Sequence, residues 1–359
     1  MKVALVYDRV NKFGGAERVL LALHEIFPKA PLYTSVYDKN LAPWADAFEV
    51  RTSFLQKLPL PKNAHEYYPF LMGPAFETFN FDEFDLVISV THEFAKAVIT
   101  KPGTLHICYC LTPTSYLWEP EYSQYFYGRN TFRKLTRPLV KYLRWYDKIV
   151  AQRPDEYISI SETVRKRVKH IYGRVSKVIY PPVEFARVPL TKLDSYYLVV
   201  SRLAPQKRLD VAIRAFNKLG LPLKIVGIGK EEKRLKVMAK ANIEFLGYLT
   251  DEQLARYYES CRAVVIPGEE DFNLVAVEAQ SFGKPVIAYG KGGVAEIVLE
   301  RKTGWFFGRP TADCLVSKIW ETENIEVSKE DCIQNARRFS KERFKKEFLE
   351  YVRNLKKNN

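Results

Sequence analysis

The chain has 359 residues, 47% of them apolar, and its 56 Lys and Arg outnumber 42 Asp and Glu to give a formal net charge of +14. The length suits two domains rather than one core, the apolar content excludes a disordered chain, and the lack of 18 uninterrupted apolar residues excludes a membrane-spanning helix. The surplus of cations implies an acidic partner: nucleotide phosphates, anionic lipid headgroups or nucleic acid.

Lys2–Tyr7 reads as a first β-strand. Asp8 and Arg9 end the apolar run too early for a signal peptide, so a cytoplasmic protein is expected. Gly14-Gly15-Ala16-Glu17-Arg18 then leads into an apolar-periodic helix to Phe27; a glycine pair there lets backbone N–H groups approach a diphosphate. Residues 52–84 are crowded with aromatics, Pro and Leu, and two readings stay open: a folded-over helical hairpin on the sheet, or an apolar surface that touches lipid. Leu86–Val90 is a buried strand with Thr91-His92-Glu93 at its carboxyl end. Cys108 and Cys110 alternate along the next apolar run. With Cys261, Cys314 and Cys332 they are odd in number and form no Cys-x-x-Cys pair, which argues against a disulfide framework and a zinc site.

Residues 129–153 carry Arg129, Arg133, Lys134, Arg137, Lys141, Arg144, Lys148 and Arg153 against one acid, Asp147, with Leu135, Leu139, Tyr142, Leu143, Trp145 and Tyr146 between them. On a helix this sets a basic face beside an apolar one, the pattern of a segment lying on an anionic membrane surface. The alternative is a domain helix with its apolar face in the core and its cations in water. Tyr157–Ile160 and Val175–Tyr180 are further strands, with a basic helix beginning at Ser161. Pro181-Pro182 breaks regular structure, and the polar segment to Ser195 reads as a linker.

The second half alternates again: strand Tyr196–Ser201, a turn carrying Arg202 and Lys207, strand Leu223–Gly227, helix Glu231–Ala241, strand Ile243–Leu246 and helix Asp251–Cys261. Residues 263–296 organise the chain. Ala263–Ile266 is a buried parallel strand, Pro267-Gly268 breaks it, Glu269, Glu270 and Asp271 form an acidic loop, Leu274–Phe282 is helical, and Pro285–Tyr289 is the next strand. A helix beginning near Asp271 would turn Glu270 and Glu278 to one crevice and aim its N-terminus at a phosphate. Gly292-Gly293 starts another helix, and a basic helix Phe339–Asn354 with Ser340 as N-cap closes the chain.

Glu270-Asp271-Phe272-Asn273-Leu274-Val275-Ala276-Val277-Glu278, followed by Gly283-Lys284-Pro285, resembles the Glu-x7-Glu motif of retaining glycosyltransferases of family four, and its wording is most similar to the bacterial and archaeal mannosyltransferase branch. The Arg202 to Lys207 spacing, the Gly14–Arg18 loop and the strand ending at His92 resemble that family in the same order along the chain. The family usually has Gly where Asn273 stands. Asn best tolerates the left-handed backbone after Gly, and its side chain is expected to intrude beside the donor. Leu111 and Ser115 stand where the branch has His and Arg.

The resemblance implies an α/β fold of GT-B type: two Rossmann-like domains with parallel sheets facing across a cleft, residues 1–185 with helix 340–359 packing back on them, and 186–339. It implies transfer of a sugar with retention of configuration, without a metal or other cofactor. Arg202 and Lys207 would hold the departing diphosphate, Glu270 the donor sugar, Glu278 the ribose hydroxyls, and His92 with the Gly15 backbone would complete the reacting site. Gly227, Phe272, Asn273, Leu274 and Val275 would line the donor pocket. The implied donor is GDP-mannose, with a UDP-sugar as the alternative, and the implied acceptor is a glycan or polyprenyl-linked lipid. A non-catalytic glycan- or anionic-polymer-binding chain is the other class; nucleic acid is not expected, because no stacking platform is present.

Overall fold

The computed structural model describes residues 1–58, 68–119, 130–184 and 196–358, the side chains of 130–135 and of 357 and 358 excepted. Arg129, residues 59–67 of the aromatic stretch and the linker 185–195 lie outside the described residues, as do the side chains of Arg133, Lys134 and Leu135. Contacts divide the chain into two units, Met1–Pro182 with Phe344–Asn359, and Val183–Arg343.

The first unit is built on β1 (Val3–Tyr7), β2 (Leu32–Thr34), β3 (Val50–Thr52), β4 (Leu86–Thr91), β5 (Leu105–Cys110), β6 (Glu156–Ser159) and β7 (Lys177–Val178). They form one sheet in the order β3-β2-β1-β4-β5-β6-β7, and every pairing is parallel. Parallel strands are covered by helices on both faces, which is why β1 and β4 read as unbroken apolar runs and are buried at every position. The helices are α1 (Gly15–Ile26), α2 (Pro69–Glu77), α3 (Ser115–Trp118), α4 (Asn130–Val150) and α5 (Glu162–Tyr172). Ser161 caps α5 by accepting a hydrogen bond from the Val164 N–H at 3.1 Å.

Most of the described aromatic stretch goes inward, although Phe54 and Phe70 stay exposed. Tyr68, Met72, Phe76, Phe81 and Phe84 are buried in the core against β1 and β4, which corrects the lipid-facing reading for these residues. The expected strand Val175–Tyr180 shrinks to two residues, and β2 and β3, three residues each, carry too little periodicity to read from sequence.

The second unit contains β8 (Tyr197–Val200), β9 (Leu223–Val226), β10 (Ile243–Gly247), β11 (Ala263–Ile266), β12 (Val286–Tyr289) and β13 (Gly304–Phe307), ordered β10-β9-β8-β11-β12-β13 and again parallel throughout. Its helices are α6 (Leu209–Leu219), α7 (Glu232–Met238), α8 (Asp251–Ser260), α9 (Leu274–Ser281), α10 (Val294–Ile297), α11 (Ala312–Thr322) and α12 (Lys329–Ala336). The last helix, α13 (Lys341–Asn358), begins in this unit, and from Phe344 onward it belongs to the first, where Phe344 meets Tyr109 edge-on at 5.9 Å and Tyr351 donates to Glu156 at 2.8 Å.

A buried ion pair ties the first unit's helices together. Lys96 Nζ lies 2.8 Å from Asp147 Oδ1, and both side chains are sealed from water. Asp147 also accepts from Thr114 Oγ1 at 2.8 Å, Trp118 Nε1 at 2.7 Å and the Tyr172 hydroxyl at 2.9 Å, so one carboxylate on α4 fixes α3 and α5. Burial pulls the Lys96 ammonium down, and the Asp147 charge more than reverses this. Replacing Lys96 with Met leaves a buried uncompensated carboxylate and should cost about 3–5 kcal/mol in urea unfolding; Lys96→Met with Asp147→Asn should recover part of it. Equal losses in the single and double variants would show that the pair does not carry the effect.

Candidate functional site

In each sheet the strand order changes direction beside the first strand, and in such sheets polar loops gather at the carboxyl ends of the two strands that flank this point. In the second unit these are β8 and β11. After β8 the backbone turns through Arg202 and a short 3-10 segment, Pro205–Lys207, and Arg208 takes the left-handed conformation (φ 53°) that starts α6. After β11, Gly268 faces this turn; a Cβ there would lie 2.9 Å from the carbonyl oxygens of Gln206 and Lys207. The close approach lets Lys207 Nζ reach Glu270 Oε2 at 2.7 Å, with both side chains mostly buried. The Glu270 carbonyl accepts the Gly293 N–H at 2.8 Å, which anchors the acidic loop to the segment after β12.

Arg202 is exposed on the same turn. Gly227 leaves β9 with φ 133°, and a Cβ there would sit 2.0 Å from the Ser201 carbonyl oxygen, so only glycine fits beside the start of the cationic turn.

The helix after the acidic loop starts at Leu274, as the apolar spacing indicates, and not near Asp271, the start on which a shared crevice for Glu270 and Glu278 depended. Glu270 therefore lies outside α9 and Glu278 one turn within it, and the two carboxylates do not sit two helical turns apart. Glu270 takes Lys207 as partner, while Glu278 accepts from the Tyr258 hydroxyl at 2.8 Å. Tyr258 is in turn stacked on Phe282 at 5.4 Å. Asn273 is left-handed (φ 87°), and its side chain turns back onto the helix, where Oδ1 accepts the Ala276 N–H at 2.8 Å. The expected intrusion is therefore corrected to a cap: Asn273 consumes one donor of the helix end. Leu274 and Val275 keep N–H groups in the first turn, where no intrahelical carbonyl can accept them. Phe272 is buried with its ring 5.5 Å from Phe339, so its side chain serves the core and only its backbone faces the loop.

In the first unit the corresponding strands are β1 and β4. Gly15 opens α1 after β1, and Glu17 in its first turn is buried and accepts from the Tyr7 hydroxyl at 2.6 Å. Asp8 is fully buried and accepts hydrogen bonds from Thr91 Oγ1 at 2.8 Å and from the N–H groups of His92, Glu93, Phe94 and Ala95 at 2.8–3.2 Å. Arg9 forms two parallel bonds to Glu93, at 2.6 and 2.8 Å. Burial pulls the Arg9 guanidinium down, and the charges of Glu93 and Asp8 more than reverse it. Between these groups lies His92, with Nδ1 3.3 Å from Asp8 Oδ2 and Nε2 3.5 Å from Arg9 Nη2. Burial lowers His92 from 6.5 to about 4 against the pull of Asp8 and Glu93. A neutral ring with its proton on Nδ1 satisfies both neighbours.

The structure thus brings Lys207, Glu270, Arg202, Gly227, Asn273, Leu274, Val275 and Glu278 to the carboxyl end of one sheet, while His92 and Gly15 lie at the carboxyl end of the other. Sequence reasoning missed Asp8, Arg9, Glu93 and Tyr258. The first two stand directly after an apolar strand, which is the signal that could have found them. A separate cavity of about 500 Å³, lined by Arg208, Arg214, Lys218 and Asp313 among others, includes none of the expected donor residues. Among the described residues no group of three or more His, Cys, Asp or Glu is arranged to hold a metal ion, and no helix is long and apolar enough to cross a membrane.

Residues 183–339 match the family model described as glycosyl transferases group 1. The chain is 29% identical over 203 residues to an uncharacterised glycosyltransferase of Methanocaldococcus jannaschii, covering 55% of this chain and 58% of that protein. It is 28% identical over 225 residues to an O-antigen chain mannosyltransferase of Escherichia coli, covering 59% and 60%. The matches therefore span somewhat over half the length of these two relatives. Among solved structures, Anabaena HepE in complex with UDP and glucose superposes with a TM-score of 0.74 at 19% identity, covering 98% of this chain and 99% of that one. A sucrose-phosphate synthase from Thermosynechococcus elongatus superposes with a TM-score of 0.76 at 17% identity over the whole of both chains. The fold is α/β with two parallel sheets, as in the GT-B glycosyltransferase structures.

Two measurements follow from this geometry. Between the unfolded-state value near 6.5 and about 4, unfolded chains bind a proton that native His92 does not, so His92 makes stability fall as pH falls through this window. The drop in urea midpoint from about pH 7 to about pH 5 should shrink in His92→Asn; an unchanged drop would contradict the assignment. Asn273→Gly removes a cap but relieves a left-handed side chain, and should alter stability by less than about 1 kcal/mol, whereas Asn273→Val should cost more. Equal costs would show that the backbone conformation does not matter.

Proposed function

We propose that this chain is a retaining, metal-independent glycosyltransferase that takes its sugar from a nucleotide-sugar bound at the β8/β11 end of the second unit. The observation that carries the proposal is the Lys207–Glu270 pair at 2.7 Å, beside exposed Arg202 and the first turn of α9, within the segment that matches the group 1 family. Cations and helix N–H groups favour a diphosphate, and carboxylates accept from sugar hydroxyls. As the glycosidic bond to the phosphate breaks, negative charge grows on the leaving oxygen, and Lys207 and Arg202 are the groups that would stabilise it. Glu270 would orient the donor sugar and hold Lys207 in place until phosphate replaces it as partner. Glu278, steadied by Tyr258, would bind the ribose hydroxyls.

GDP-mannose is the proposed donor. The resemblance of the acidic loop to the mannosyltransferase branch supports this, as does the similarity to a protein named as an O-antigen chain mannosyltransferase; a UDP-sugar is the alternative. The first unit would receive a glycan or lipid-linked acceptor on the cytoplasmic side of the membrane, with neutral His92 placed by Asp8 and Arg9 at its reacting end. The Asn273 cap favours a second reading, a glycan-binding chain without turnover, because it withdraws a donor that phosphate would use.

Release of nucleoside diphosphate from a panel of GDP- and UDP-sugars tests the proposal. Slow hydrolysis is expected with one donor class, and Lys207→Ala and Arg202→Ala should each lower it by about 10²–10³-fold. Glu270→Ala should abolish it. Binding of a nucleotide-sugar without release would favour the second reading, and neither binding nor release would reject both.

A further inference from the structure

α4 has two apolar stripes, and only one faces the protein. Leu143 and Val150 are buried in the core, together with Asp147. Running from Leu139, one turn before Leu143, and away from that stripe, Leu139, Tyr142, Trp145 and Ile149 recur at spacings of three and four residues and remain 36%, 50%, 59% and 42% exposed. This is a continuous outward row, since residues three and four apart are neighbours on a helix. Such a row on a soluble helix usually marks a surface that something covers.

The charges beside it choose the occupant. Arg137, Lys141, Arg144 and Lys148 are all exposed, and the single acid of the helix, Asp147, is buried and bound to Lys96. Arg144 and Lys148 stand over the Trp118 ring at 5.4 and 5.3 Å, which holds them on one flank of the apolar row. Among the described residues no carboxylate pairs with Arg137, Lys141 or Lys148. A second copy of this chain would set two basic flanks against each other. Nucleic acid would meet the cations but leave Leu139 and Ile149 in water. An anionic bilayer suits both parts: aliphatic groups enter the acyl boundary, Trp and Tyr rings settle at headgroup level, and the cations meet lipid phosphates.

We propose that the outward face of α4 is a membrane-docking surface, with Leu139, Tyr142, Trp145 and Ile149 inserted at the boundary of an anionic bilayer and Arg137, Lys141 and Lys148 on its headgroups. The sequence already offers a basic face beside an apolar one; the structure adds which apolar residues are left to make contact, namely those that the core does not cover. It stands on the surface alone and needs no sugar transfer.

The test is cosedimentation of the full chain with phosphatidylcholine vesicles, with and without phosphatidylserine, neither carrying a glycosyl acceptor. Binding is expected to the anionic vesicles and to weaken with added salt. Each cation changed to Gln should lower partitioning about fivefold, so the triple variant Arg137→Gln, Lys141→Gln, Lys148→Gln should lose about a hundredfold. Tyr142→Ser with Ile149→Ser should also release the protein, with an unchanged melting temperature, because neither residue is in the core. Brominated lipid should quench wild-type tryptophan fluorescence more than that of Trp145→Phe. Equal binding to neutral vesicles, full binding by the Ser variant, quenching indifferent to Trp145, or a solution dimer dispersed by the Ser variant would each overturn the proposal. Loss of donor hydrolysis with intact vesicle binding would sink the enzymatic reading and leave this one standing.

Discussion

The contact between Lys207 and Glu270 depends on a constraint that acts far upstream of chemistry. All strands of each sheet run parallel, so every loop that follows a strand emerges at the same edge, and the reversal of strand order leaves a gap that no crossover helix fills. The turn after β8 and the loop after β11 meet there, with Gly268 closing the distance. An ammonium and a carboxylate held together and mostly shielded from water strengthen each other. Under the proposed function they form a poised site, in which an arriving phosphate would take over the cation while a sugar hydroxyl takes over the acid.

The first unit uses the same edge differently. There the central charge is Asp8, which is fully buried yet supplied with hydrogen bonds from Thr91 and four successive backbone N–H groups. A carboxylate so well satisfied costs little to bury and fixes the path of the chain through His92 and Glu93. Arg9 clamps Glu93, and Lys96 with Asp147 holds the segment behind it. Burial keeps the imidazole neutral among three charged neighbours, two of which, Asp8 and Glu93, favour its charged form. With its pKa lowered to about 4, the ring stays neutral at neutral pH and acts there as a hydrogen-bonding group.

Long, uninterrupted features were readable from the residues alone. β11, with its run of Ala263-Val264-Val265-Ile266, has the bounds its apolar run indicates, and the spacing of Arg202 and Lys207 placed both on one turn. The apolar spacing gave the start of α9 at Leu274, but the left-handed backbone of Asn273 that sets it was not legible, so a start near Asp271 looked equally compatible. The Asp8, Arg9 and Glu93 cluster was only partly legible. Asp8 and Arg9 stand out as adjacent charges directly after a strand, but Glu93 lies more than 80 residues away from them and nothing local marks it as their partner. Similarly, helical periodicity shows that α4 has apolar residues around much of its circumference, but which of its stripes is buried is decided by the neighbours it packs on.

The most direct measurement is a crystal structure of the chain with a nucleoside diphosphate bound. Assignment of the cationic turn as the leaving-group site predicts phosphate oxygens within about 3 Å of Lys207 Nζ and the Arg202 guanidinium, with the ribose hydroxyls on Glu278. A diphosphate bound elsewhere, with the Lys207–Glu270 pair untouched, would contradict it.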